Sequence, residues 1–185
     1  MPFSILNLEK QYKGHAFDVA KVHIQLPNGQ ERDYDLVQHA GSVTIMPIDE
    51  NNQVYFVIQH RIGANKKLIE LPAGVLDAGE EPRLCAQREI REEIGMDAKQ
   101  IRALGSFYLA PGYSDEYMTV FLATDLFPSP LNPDADEFLE VVTMPIDEVY
   151  RKAQSGAFYD GKTLAALLLA QPKIKDRLEV NLSLG

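Results

Sequence analysis

The chain has 185 residues, 45% of them hydrophobic, which is enough to bury one good core and too few for a second full domain. A net charge of −9 works against nonspecific binding to nucleic acid or to an anionic membrane. The single cysteine, Cys85, excludes an internal disulfide, the opening MPFSILNLEKQYKG lacks the layout of a signal peptide, and no apolar run is long enough to span a bilayer. The expectation is a soluble, cytoplasmic protein.

Residues 22–26 (VHIQL) alternate apolar and polar side chains, as a half-buried strand does. Asn28-Gly29 follows, a strong hairpin turn signal, and the return strand runs through Tyr34, Leu36 and Val37. Residues 41–48 and 54–59 are expected to pair around the turn Asp49-Glu50-Asn51-Asn52. Residues 69–71 form a short strand. Further strands are expected at 101–110, 118–124 and 141–144, with a proline-rich acidic loop over 127–136. Two helices, 146–155 and 162–169, close the chain. In the second, Leu164, Leu167 and Leu168 have the spacing of a packing face. The division expected is an N-terminal β section, 1–40, ahead of a catalytic part, 41–185.

Between the strands expected at 69–71 and 101–110 lies GVLDAGEEPRLCAQREIREEIGM, Gly74 to Met96. Pro82 suits the first turn of a helix, Glu80 and Glu81 stand at its positive end, and Gly95 is a natural stop. Leu84, Ile90 and Ile94, with Cys85 and Ala86, supply an apolar side. Glu89 lies three residues before Glu92 and four before Glu93, so the carboxylates share a face. Each like-charged pair costs roughly 0.2–0.5 kcal/mol without a counter-ion. A hard divalent cation reverses that sign, since Mg2+ takes oxygen ligands and shares its shell with substrate phosphates.

EIREEIG alone would ordinarily mean a solvated acidic face. The whole segment, however, fits Gly-x5-Glu-x7-Arg-Glu-aliphatic-x-Glu-Glu-x-Gly-aliphatic without a mismatch. At average composition that match arises by chance on the order of once in ten million chains of this length. The segment resembles the Nudix box, the signature of hydrolases acting on a nucleoside diphosphate linked to another moiety. The resemblance implies an α+β fold, an α/β/α sandwich with a mixed central sheet and an N-terminal antiparallel β section. It also implies Mg2+ or Mn2+ as cofactor, held by the Ala73 carbonyl and by Glu89, Glu92 and Glu93, with Arg88 and Glu80 orienting the glutamates.

Three features outside the box resemble the ADP-ribose pyrophosphatase subfamily. Ala110-Pro111-Gly112-Tyr113-Ser114-Asp115-Glu116 begins fourteen residues after Met96. It matches a Ser-Pro-Gly-aromatic-Ser/Thr-x-Glu segment, with alanine in place of the serine, so Pro111, Gly112 and Glu116 carry the likeness. Arg61, at a strand end, stands where such enzymes place a phosphate-binding arginine, a task suited to the guanidinium fork. The acidic stretch 134–140 resembles a loop whose glutamate helps to activate water; Glu137 is the choice and Glu140 the reserve. His60 reads as structural.

The expected reaction is hydrolysis of ADP-ribose or a related ADP-sugar to AMP and ribose 5-phosphate. The alternatives are a Nudix hydrolase of GDP-mannose or a dinucleoside polyphosphate, and a Nudix-fold module that binds without catalysis. The resemblance also implies a homodimer whose N-terminal parts exchange, with Phe17 and Tyr34 as candidates for stacking on adenine.

Overall fold

A computed structural model describes residues 2–132 and 138–175. The backbone groups into two compact units, residues 1–41 with 107–118, and residues 42–106 with 119–185.

The first unit carries strands β1 (Ser4–Lys13), β2 (Asp18–Gln25) and β3 (Glu31–Gln38) as one antiparallel sheet in the order β1-β2-β3. The Asn28-Gly29 turn forms as expected. Gly29 sits at φ +82°, where L side chains are disfavoured, and the Asn28 side chain accepts from the Gln30 amide at 3.0 Å. β1 has no counterpart in the sequence reading, because every one of its residues is exposed and no burial pattern betrays it. Residues 107–118 join this unit through backbone bonds. Val37 N–H donates to Tyr113 O at 2.8 Å, Asp115 N–H donates to Val37 O at 3.1 Å, and Val37 and Ser114 make a parallel bridge. The N-terminal unit is thus more than residues 1–40.

Among the described residues the second unit holds two sheets and three α-helices. One sheet runs β7 (Ala73–Val75), β4 (Ser42–Pro47), β9 (Tyr117–Pro128), β8 (Met96–Tyr108). The other runs β10 (Glu140–Pro145), β5 (Gln53–Arg61), β6 (Lys66–Glu70). β4 and β5 do not form the expected hairpin. A lone Ile48–Val54 bridge joins them before they part into different sheets. All six residues of β4 are buried, and such a strand takes partners on both edges, here β7 and β9. β5 pairs with β10 and β6, both antiparallel.

Helix α1 (Pro82–Glu93) packs on β4 and β7; α2 (Ile146–Gln154) packs on β10 and β5; α3 (Gly161–Ala170) packs on β4. The core beneath α1 joins Cys85, Ala86, Ile90 and Ile94 to Val43, Ile45, Val57, Phe121 and Ala123. Leu84 was expected in that core but is 53% exposed. In α3 the buried side is Thr163, Ala166, Leu167 and Ala170, while Leu164 and Leu168 face solvent. The correction has a physical cause. Asp160 caps the helix and satisfies Thr163, so a polar residue can lie inside.

Candidate active site

α1 begins as the sequence dictates. Pro82 lies in its first turn, and Gly95, just past its end, adopts φ +70°. This helix then places Glu89 and Glu92 around Arg88, and the turn ahead of it adds Glu80. Arg88 forks onto Glu80, Nε to Oε1 at 3.0 Å and Nη2 to Oε2 at 2.9 Å. Its Nη1 donates to Glu89 at 2.6 Å and to Glu92 at 3.0 Å, and Nη2 also reaches the Val75 carbonyl at 3.2 Å. The guanidinium is thereby held firmly protonated, chiefly by the Glu80 hydrogen bond, which with the Glu89 charge and the Glu92 hydrogen bond outweighs burial. In return Arg88 draws the Glu80 carboxyl down to about 2, outweighing burial, with the Asp77 amide adding a second bond at 3.0 Å.

Glu89 and Glu93 are buried. Glu93 accepts from the Ala73 amide at 3.0 Å, which ties α1 to β7. Glu89 lies on Gly74. A Cβ at that position would fall 1.8 Å from Glu89 Oε1, so only glycine leaves room for the carboxylate. Ala73, Glu89, Glu92 and Glu93 therefore come together, and every donor in the set is a hard oxygen, the chemistry that Mg2+ and Mn2+ prefer. Among the described residues no three acidic, histidine or cysteine side chains stand in finished metal-ligand geometry. Arg88 is the positive group that the glutamates engage here. The donor set and the glycine cradle fit a divalent cation.

Arg61 does not stand apart awaiting a phosphate. Its Nε and Nη2 fork onto Glu70 at 2.8 and 2.7 Å. Glu70 is 1% exposed and also receives the ammonium of Lys162, which in turn lies 3.0 Å from Asp160. Burial pushes the Glu70 carboxyl up, but the Arg61 hydrogen bond and the Lys162 charge outweigh it and hold it below its ordinary value. The sequence reading missed this cluster. The signal available was Asp160 three residues before Thr163, a helix-capping spacing.

Pro111, Gly112 and Glu116 belong to the first unit. They form a turn in which Tyr113 and Ser114 amides donate to Ala110 O at 3.0 and 2.9 Å, and Leu109 N–H donates to Glu116 O at 3.2 Å. A Cβ on Gly112 would meet nothing within 4 Å. The turn itself thus leaves space at this position. Phe17 and Tyr34 are exposed, and His60 is exposed at the β5 end. Glu137 lies outside the described residues; Glu140 opens β10 opposite Ile58. No helix among the described residues is long and apolar enough to cross a membrane.

Comparison with known proteins agrees with this geometry. The family model for the NUDIX domain matches residues 38–167. The chain is 34% identical over 167 residues to an ADP-ribose pyrophosphatase of Bacillus subtilis (strain 168), covering 89% of this chain and 90% of the relative. It is 32% identical over 168 residues to a methanol dehydrogenase activator of Bacillus methanolicus, covering 90% and 91%. A crystal structure of an ADP compounds hydrolase superposes with a TM-score of 0.85 at 26% identity, covering 96% of each chain. An unbroken box folded around its arginine, together with these likenesses along nearly the whole chain, makes this protein a member of the NUDIX domain family.

Proposed function

We propose that this chain is a Nudix pyrophosphohydrolase that adds water across the diphosphate of ADP-ribose and related ADP-sugars, giving AMP and ribose 5-phosphate. The observation that carries the reading is the Arg88 hub. One guanidinium holds Glu80, Glu89 and Glu92, and the Ala73 amide holds Glu93, so four carboxylates are oriented by the chain's own groups. The relatives named for ADP-ribose and for ADP compounds support the substrate class.

Ala73, Glu89, Glu92 and Glu93 would hold Mg2+ or Mn2+. A cation held there would neutralise diphosphate charge and make a water at the site more acidic. Arg88 aligns Glu80, Glu89 and Glu92. The proton of the attacking water passes to a carboxylate, with Glu137, Glu92 and Glu93 as the candidates. Pro111, Gly112 and Glu116 are assigned to the substrate. Arg61 is assigned to phosphate, a role that requires it to share or leave Glu70. Preorganised charge does most of the work, and no covalent intermediate is needed.

The exposed apolar residues of β1, Ile5, Leu6 and Leu8, fit a homodimer through the N-terminal sheet. A reduced, buried Cys85 fits a cytoplasmic setting.

Product analysis with Mg2+ across ADP-ribose, GDP-mannose, diadenosine tetraphosphate and NADH tests the assignment. Fast release of AMP and ribose 5-phosphate from ADP-ribose supports it, and preference for another compound overturns the substrate. The alternative reading is a Nudix-fold module that binds a nucleotide-sugar without turnover. Absence of turnover on all four compounds would bring that reading forward.

A further inference from the structure

The segment between β6 and β7 passes from one sheet to the other in two residues, Leu71 and Pro72. Neither lies in a ladder, and Leu71 is fully buried. Its backbone groups must find partners elsewhere. Leu71 N–H donates to Thr163 Oγ1 at 2.9 Å. Pro72 has no N–H, and its carbonyl accepts from Ile45 N at 2.9 Å and from the Thr44 hydroxyl at 3.2 Å. Next in line, Ala73 N–H donates to Glu93.

Thr163 has a fixed orientation. A hydroxyl has one proton and two lone pairs. Thr163 Oγ1 lies 2.6 Å from Asp160 Oδ2, which can only accept, so the proton points there and a lone pair is left for Leu71. The neighbouring Lys162 grips Glu70. Two successive residues of α3 thus clasp two successive residues of the chain entering the site.

We propose that Thr163, oriented by Asp160, is a positioning residue for the cation site. It fixes the height of the Leu71–Ala73 crossing, and through the Ala73 amide it fixes the Glu93 carboxylate. The proposal rests on the metal-dependent reading above. It assigns α3 a role in the chemistry beyond packing. Partners hydrogen-bonded to a metal ligand commonly set cation affinity by about 10–100-fold, and Thr163 acts on that shell through the Leu71–Ala73 backbone.

The test compares the wild type, Thr163→Val and Thr163→Ser. Valine keeps the shape and removes the lone pair, while serine keeps the hydroxyl. Mn2+ affinity of the nucleotide-free protein is read by electron paramagnetic resonance, beside kcat, KM and thermal midpoint. The expected result is Mn2+ binding weakened about 10–100-fold in Thr163→Val, with kcat lowered and KM little changed, and recovery of both in Thr163→Ser. A Thr163→Val protein that melts earlier yet binds Mn2+ as the wild type does would overturn the proposal and leave Thr163 a packing residue. If the wild type itself bound no Mn2+, the metal-dependent reading would fail and this inference with it. The Mn2+ arm does not depend on which nucleotide is hydrolysed, so a wrong substrate leaves it intact.

Discussion

Glu89 rests directly on Gly74, a residue fifteen positions earlier on a neighbouring strand. A Cβ at 74 would stand 1.8 Å from its carboxylate oxygen and 1.9 Å from its carboxyl carbon. The first glycine of the box is therefore the floor beneath one of its glutamates. Gly74→Ala should displace Glu89, because the obstacle lies on a short, paired strand that cannot easily recede. The expected loss of stability is about 1–3 kcal/mol. Loss of activity should exceed what the unfolded fraction explains, which parallel denaturation and turnover measurements would show.

Glu93→Gln keeps size and shape but removes the negative charge of the carboxylate. If Glu93 holds the cation or takes the proton, kcat should fall by roughly 10²–10⁴. Circular dichroism should remain that of the wild type, since the Ala73 amide still finds an oxygen acceptor. Near-normal turnover in this variant would remove Glu93 from the mechanism.

Glu80 gives a prediction about acid. Its carboxyl is drawn from an ordinary value of 4.5 to about 2 in the folded protein. A depressed carboxylate contributes stability that is fully present above the unfolded value and lost as pH falls through the folded one. Glu80→Gln should therefore be less stable at neutral pH by about 1–3 kcal/mol, the worth of a charged hydrogen bond to Arg88. The gap should narrow between pH 4.5 and 2. Urea titrations across that window would reveal it, and a gap that did not vary with pH would contradict the pairing.

Cys85 is buried under Val75 and the Arg88 guanidinium, and burial pushes its thiol up to about 12. Native protein should resist thiol reagents at pH 8 and react in denaturant with one equivalent. Rapid labelling of the native protein would mean that the box opens readily.

Glu70→Ala would leave Lys162 and Arg61 without their shared anion. Breaking a buried charge cluster from one side costs about 3–5 kcal/mol, so this variant should unfold at markedly lower denaturant. Glu70→Gln, which keeps an oxygen acceptor, should lose less.

What could be seen in the sequence was what local spacing dictates. Glu89, Glu92 and Glu93 share a helix face because of their numbering alone, and Pro82 and Gly95 mark the ends of that helix. Asn28-Gly29 marks its own turn. What stayed hidden depended on distant partners. β4 and β5 look like a hairpin until β7 and β9 claim the edges of β4. β1 has no burial rhythm and exists through its pairing with β2. In α3 the sequence invites Leu164 and Leu168 inward, but Lys162 and Thr163 occupy the interior because Glu70, Asp160 and Leu71 complete their bonds. Arg61 was recognisable as a forked donor, but its partner Glu70, nine residues on, could not be read from either residue alone.

The clasp between α3 and the β6 end has a consequence for synthesis. Residues 70–93 leave the ribosome well before residues 160–163, so for much of translation the whole box exists while its Leu71 amide and Glu70 carboxylate lack their partners on α3. A chain ended ahead of Asp160 would carry every box residue and an unsecured entry to them. The tie between the β6 end and α3 can form only once α3 has been made, so it closes late among the contacts around the box.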